Sequence, residues 1–256
     1  MSDNSSYWSD RFNKCNQARE HHKMMQERYS EQTKESVRLS RVYSDENTQD
    51  YTGTVSKPEV ILTDMDTVTA AAYYQKGRTA ILNFASYKEP GGMFLKGSTA
   101  QEECLCHASN LYEILSSFPE YYEWNNKHLN RALYLNRAIA SPDVIITSCG
   151  KEYKFDVITC AAPNASAYLK YNTDSGNIER ALDSRIGFIK KIIEAGTNGK
   201  AETFILGAFG CGVFGLNPET VASKFSSYFE TSSVKRIVYA IINKDSKNYK
   251  AFENIV

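Results

Sequence analysis

The sequence has no apolar run long enough to cross a membrane, no excess of either charge and no CxxC pair, and each absence removes a class of function. Thirty Lys and Arg are matched by 30 Asp and Glu, for a formal net charge of +0. A balanced chain is not a general nucleic-acid or membrane-surface binder, although a local basic patch is compatible with a zero total. Neither direct nucleic-acid binding nor a membrane partner is therefore expected. Cysteine is sparse, with 6 residues (Cys15, Cys104, Cys106, Cys149, Cys160 and Cys211), several in apolar or strand-like surroundings. Without paired spacing or a signal peptide they predict reduced thiols in a cytoplasmic chain, or a nuclear one if the source is eukaryotic. His21, His22, His107 and His128 show no ligand spacing with those cysteines, so no metal site is expected.

What is present supports a folded enzyme-sized unit. Hydrophobic residues make up 42% of the chain and aromatics 12%, enough for a substantial core. A length of 256 residues accommodates one large domain or two small ones. Residues 8 to about 48 are polar, charged and free of Pro and Gly, which predicts one or two helices, the second over 31–41. From about residue 58 the texture changes. Short apolar runs at 59–62, 79–85, 143–146, 155–161, 203–208 and 235–242 have strand length. Helices are expected at 67–75, 99–118, 178–194 and 219–229. This alternation predicts an α/β fold, a sheet with helices on both faces, and ligand binding at the carboxyl ends of its strands. The expected organisation is a helical extension at 1–48, packed on one domain at 49–256.

Two loops in the ligand-binding position have unusual composition. The first leads from the strand at 79–85 through Pro90-Gly91-Gly92-Met93 into a helix that opens Ser98-Thr99-Ala100-Gln101-Glu102-Glu103. Glycine lets backbone N–H groups approach a ligand closely. Thr99 with Glu102 three residues on is a capping box, which accounts for Glu102. Glu103 has no capping duty and points about 100° further round the helix, which leaves it a candidate for a functional role. Ordinary glycosidases place two carboxyls on opposite sides of the scissile bond, about 5 Å or about 6.5–9.5 Å apart. Adjacent residues diverging from one turn cannot easily flank a bond in that way. If the pair serves glycosidic chemistry, one residue acts as acid and then base while the other positions a sugar hydroxyl.

The second loop, Gly207-Ala208-Phe209-Gly210-Cys211-Gly212-Val213-Phe214-Gly215, runs from a strand to a helix opening at Asn217-Pro218. Strand, glycine-rich loop and helix N-terminus form an anion site. Gly210-x-Gly212-x-x-Gly215 also matches the dinucleotide fingerprint, but only about forty residues remain after it, too few for the second half of a nicotinamide-binding unit.

At these two loops the sequence resembles the microbial-type poly(ADP-ribose) glycohydrolases, a branch of the macrodomain superfamily. The likeness rests on Asn83-Phe84-Ala85-Ser86…Pro90-Gly91-Gly92-Met93 followed by Gln101-Glu102-Glu103, on the second loop, and on Ala161-Ala162-Pro163-Asn164 between them. The resemblance implies a macrodomain-like three-layer α/β/α fold with a mixed central sheet. It implies Glu103 as catalytic acid, Glu102 as the holder of a ribose hydroxyl, Asn83 and Ser86 near the ribose, and Gln101 among the substrate-binding residues. Gly91 and Gly92 would lie along the substrate, with Gly210, Cys211, Gly212, Val213 and Phe214 around the diphosphate and the terminal ribose. The implied partner is ADP-ribose or poly(ADP-ribose) on modified proteins, attacked from its free end by a monomer without a cofactor. For acid catalysis Glu103 must begin protonated. Met93 replaces the third glycine of the family signature. Hydrolysis of single ADP-ribose adducts, and ADP-ribose binding without turnover, remain open alternatives.

Overall fold

The protein is described by a computed structural model covering residues 3–197 and 200–256. Two helices open it, α1 (Asp3–Arg28) and α2 (Ser30–Leu39). They are followed by β1 (Arg41–Ser44), so the segment expected as a helical extension gives its last residues to a strand. The expected alternation then appears as β2 (Glu59–Thr63), α3 (Thr67–Tyr74), β3 (Arg78–Phe84), α4 (Gln101–Ala108), α5 (Leu111–Ser116) and α6 (Pro119–Lys127). It continues with β4 (Arg137–Ser148), β5 (Lys151–Cys160), α7 (Ala165–Tyr168), α8 (Ser175–Lys191), β6 (Ala201–Leu206), α9 (Pro218–Tyr228), β7 (Arg236–Ala240) and α10 (Lys247–Glu253). Among the described residues no helix is long and apolar enough to cross a membrane.

The strands form one sheet in the order β1-β4-β5-β3-β6-β7-β2. β1, β4 and β5 pair antiparallel, whereas β5, β3, β6, β7 and β2 pair parallel, so the sheet is mixed as expected. Central β3 shows why the fold has three layers. Thr79 to Asn83 are all buried, and successive side chains leave the strand on opposite faces. Ala80 and Leu82 join a core with Ile186 and Ile189 of α8 and Phe225 of α9. Ile81 joins the other core, with Leu105 of α4 and Leu111 and Ile114 of α5. Taking such a side chain out of water contributes about 1.5–3 kcal/mol, and a strand apolar on both faces gains it only between two helical layers.

The single helix expected over 99–118 is broken. Ser109 is extended (φ −151°, ψ 173°) and bridges Ile146 of β4. Buried Asn110 accepts the Ile145 N–H at 2.9 Å and donates to Thr33 Oγ1 at 2.8 Å, tying α2, β4 and the helix break together. These tertiary bonds outweigh the helical propensity of the surrounding residues. Strand β4 begins earlier than expected because its register shifts between Ser141 and Val144, around Pro142. Pro supplies no ladder donor and marks such bulges.

Candidate active site

Gln101 sets the start of α4. Its Oε1 accepts the Phe84 N–H at 2.8 Å and its Nε2 donates to the Leu82 carbonyl at 2.9 Å, so the helix is clamped to the carboxyl end of β3. The expected capping box does not form. Ala100 occupies the N-cap position without a side-chain bond, and Glu102 turns inward instead of back along the helix. Glu102 is buried. Its Oε2 accepts the Ser86 N–H at 2.7 Å and its Oε1 accepts from Asn83 Nδ2 at 3.2 Å. Burial pushes its carboxyl up to about 8, opposed by the Ser86 and Asn83 donors. Asn83 is fully buried, and its Oδ1 has no partner among the described residues. Asn83 and Gln101, both expected beside substrate, thus direct their donors to protein groups. Ser86 Oγ accepts from Lys88 N and Glu89 N at 3.3 and 3.2 Å, ordering the turn that follows it.

Glu103 is also largely buried, but it is held differently. Its Oε1 accepts the Met93 N–H at 2.9 Å, whereas Oε2 has no donor among the described residues and is not sealed from solvent. The glycine pair makes this approach possible. Gly91 and Gly92 have φ of +63° and +57°, the left-handed region that side chains disfavour. A Cβ on Gly92 would stand 2.6 Å from Glu103 Oε1 and 3.1 Å from Glu102 Oε2. One on Gly91 would meet Tyr112 Cδ2 at 2.7 Å. The backbone therefore lies directly against both carboxyls. Met93 has φ −103°, so the third position of this turn requires no glycine.

The second loop leaves β6 and enters α9, where Asn217 caps the Thr220 N–H at 2.8 Å and Pro218 takes the first turn, as the sequence predicts. Gly210 has φ +73°, and a Cβ there would meet Leu216 Cδ1 at 2.6 Å and Ala162 Cβ at 2.7 Å. This glycine is needed to seat the loop on the segment after β5. At Gly212 a Cβ would meet nothing within 4 Å. Within the loop, Cys211 N donates to Ala208 O and Gly215 N to Gly212 O. The N–H groups of Gly212, Val213 and Phe214 have no acceptor among the described residues. Three successive free donors beside a helix N-terminus suit an anion. Cys211 is half-buried, and burial pushes its thiol up to about 12, so it offers no thiolate at neutral pH.

An aromatic bridge joins the two loops. Tyr87 of the first stacks on Tyr134 with centroids 4.2 Å apart, and Tyr134 meets Phe214 of the second edge-on at 6.2 Å. Tyr134 sits in a left-handed turn in which Asn130, Arg131, Ala132 and Tyr134 all have positive φ. That turn is tied to the end of β5 by the Asn164 N–H on Ala132 O at 2.9 Å. Below it lies Arg185 of α8, buried without a carboxylate partner among the described residues. It donates to Asn136 Oδ1 at 2.7 Å and to the Ala161 carbonyl. Sequence reasoning missed Tyr87, Tyr134, Asn136 and Arg185. No spacing marks them, since they come together only through the sheet order. Phe209 of the second loop is fully buried and packs edge-on to Phe84.

The glycine turn over the carboxyl pair and the anion-ready loop thus follow the carboxyl ends of two neighbouring parallel strands, β3 and β6. The family model for the microbial-type PARG catalytic domain, PARG being poly(ADP-ribose) glycohydrolase, matches residues 12–148, more than half of the chain. The chain belongs to this family. It is thus an enzyme of the PARG type, and the matched span includes both glutamates while the second loop lies beyond it. Solved PARG structures extend the likeness over the rest. The enzyme from Thermomonospora curvata is similar at 26% identity and a TM-score of 0.81, over 96% of this chain and 100% of that one. The same enzyme bound to the inhibitor ADP-HPD gives 26% identity and a TM-score of 0.80, over 95% and 99%. The Deinococcus radiodurans PARG in complex with ADP-ribose gives 26% identity and a TM-score of 0.74, over 87% and 96%. No curated protein matches the chain significantly.

Proposed function

We propose that this PARG hydrolyses ribose–ribose O-glycosidic bonds at the free end of poly(ADP-ribose), releasing ADP-ribose, with Glu103 as general acid and then general base. The observation that carries this assignment is the difference between the two carboxyls. Both oxygens of Glu102 are engaged by Asn83 and Ser86, whereas Glu103 keeps Oε2 open. An acid must reach the leaving oxygen directly, so the open carboxyl takes that role. Glu103 gives its proton to the departing ribose oxygen as oxocarbenium character develops at the anomeric carbon. It then takes a proton from the attacking water, which restores the acid. Glu102, held rigidly, positions a ribose hydroxyl.

The diphosphate lies on the free N–H groups of Gly212, Val213 and Phe214, with Gly210 and Cys211 shaping the loop and Phe214 against the terminal ribose. Gly91 and Gly92 line the substrate beside the carboxyls, Ser86 turns the loop toward it, and Asn83 and Gln101 support the pair from below. The same reading makes 49–256 the catalytic domain and 1–48 its extension, in a cytoplasmic monomer acting on ADP-ribosylated proteins. Product analysis of end-labelled polymer tests it. Monomeric ADP-ribose is expected as the sole early product. Early release of free fragments of several units overturns attack from the end, and turnover of single adducts without polymer overturns the choice of substrate.

A further inference from the structure

Resting on the placement of the diphosphate on the second loop, we propose that Arg185 is a positioning residue for substrate binding. It pins the backbone shelf on which that loop is seated, and so sets affinity for the diphosphate through the loop. The shelf is the segment between β5 and α7, and the loop meets it at both ends. A Cβ on Gly210 would stand 2.7 Å from Ala162 Cβ, so the loop backbone lies directly on the shelf there. At the other end the Ser166 N–H donates to the Phe214 carbonyl at 2.9 Å, and a Cβ on Gly215 would collide with Ser166 Oγ. The free N–H groups of Gly212, Val213 and Phe214 belong to the stretch of chain held by these two seats. Their aim therefore follows the shelf.

Arg185 fixes the shelf at its root. The Ala161 carbonyl lies just past the end of β5, where no backbone donor meets it among the described residues, and Arg185 Nη1 donates to it. Arg185 Nε donates to Asn136 Oδ1 at 2.7 Å. Asn136 is itself held in place, donating to Ser184 Oγ at 2.8 Å and to Asp45 Oδ1 at 2.9 Å. The rigid fork of the guanidinium thus ties the residue before β4 to the residue after β5. Stability does not account for this arginine. It is 1% exposed and has no carboxylate partner among the described residues, and burying a charge without one is costly. An apolar side chain in its place would leave the Ala161 carbonyl and Asn136 Oδ1 without a donor. What the fork supplies is a fixed Ala161, and with it a fixed seat for Gly210. Glu103 hangs instead on the Met93 N–H of the first loop, so loss of the fork should fall on binding and spare the acid.

The test measures ADP-ribose affinity, polymer kinetics and Tm for wild type, R185Q, R185K and N136A. R185Q is expected to weaken ADP-ribose binding about tenfold, the scale of one misaligned hydrogen bond to a charged group, and to raise the polymer KM in parallel with kcat within about threefold. R185K keeps the charge but not the fork, and should recover no more than part of the loss. N136A leaves the Ala161 bond in place and should give a smaller loss in the same direction, which tests the reasoning even if R185Q does not fold. Combined with G210A, which lifts the loop off the same shelf, R185Q should add less than its separate effect on affinity. A lower Tm with affinity unchanged, full recovery by R185K, or a loss carried by kcat overturns the proposal. Wild type that fails to bind ADP-ribose overturns the placement of the diphosphate and this inference with it. Tight binding by wild type, unchanged in R185Q and N136A, overturns this inference alone.

Discussion

Glu102→Gln should make the protein's stability less dependent on pH, and the size of that change follows from burial. In the folded protein Glu102 titrates at about 8, because burial outweighs the Ser86 and Asn83 donors. The unfolded chain releases the same proton in the ordinary glutamate range. Between those two values the folded state binds the proton that the unfolded state has lost. Stability therefore falls as pH rises from about 4.5 to about 8, the opposite of a salt-bridged carboxylate. The full difference corresponds to about 5 kcal/mol, and relaxation around an ionised carboxyl brings the expected value to about 2–5 kcal/mol. A glutamine of the same shape carries none of this dependence. Its fixed cost, from presenting an NH₂ to donors that need an acceptor, is the same at every pH and cancels in the comparison. Urea and thermal melts of wild type and E102Q at pH 5 and pH 9, at one ionic strength, measure it. At about 2–4 °C per kcal/mol for a chain of this size, Tm of the mutant minus Tm of wild type should rise by about 4–20 °C between the two pH values. A difference constant within 2 °C, or one of opposite sign, refutes the reasoning.

Gly92→Ala forces a side chain into a left-handed position and puts Cβ against Glu103 Oε1, so kcat should fall about 100-fold through displacement of the acid. Circular dichroism should show a folded protein destabilised by about 1–2 kcal/mol, and activity within threefold of wild type would contradict the tight approach. Gly210→Ala and Gly212→Ala should behave differently although they are two residues apart. The first meets Leu216 and Ala162 at strained φ and should cost about 2–3 kcal/mol in urea melts, while the second meets open space and should cost less than about 0.5 kcal/mol. Equal losses would show that the loop is not seated as described.

Both loops could be read from the sequence because their chemistry is local. A glycine pair after a largely apolar strand, and an Asn-Pro start after a glycine-rich run, each fix backbone geometry whatever lies elsewhere in the chain. The central strands were equally clear, since β3 sends apolar side chains into the cores on both faces. What escaped depends on distant partners. The pattern Thr99-x-x-Glu102 satisfies a local capping rule, but Ser86 and Asn83 offer Glu102 better-placed donors across the turn, and the buried bonds win. Strand β1 is four residues of ordinary composition that acquire their conformation from β4. Tyr134 carries no signal of its own, because its role arises from a left-handed turn held by the segment after β5. Arg185 looks like the polar side of an amphipathic helix, and its burial follows from acceptors at Asn136 and Ala161 that no spacing reveals.

The measurement that tests the central claim most directly is release of ADP-ribose from poly(ADP-ribose) by wild type and by Glu103→Gln, with ADP-ribose affinity measured on both. The substitution keeps the Met93 N–H bond to a side-chain oxygen and removes only the proton the reaction needs. The account predicts steady release by wild type, a fall of about 10³-fold or more in the variant, and binding unchanged within a few-fold. Release by E103Q at a rate near wild type would contradict it, because some other group would then supply the proton.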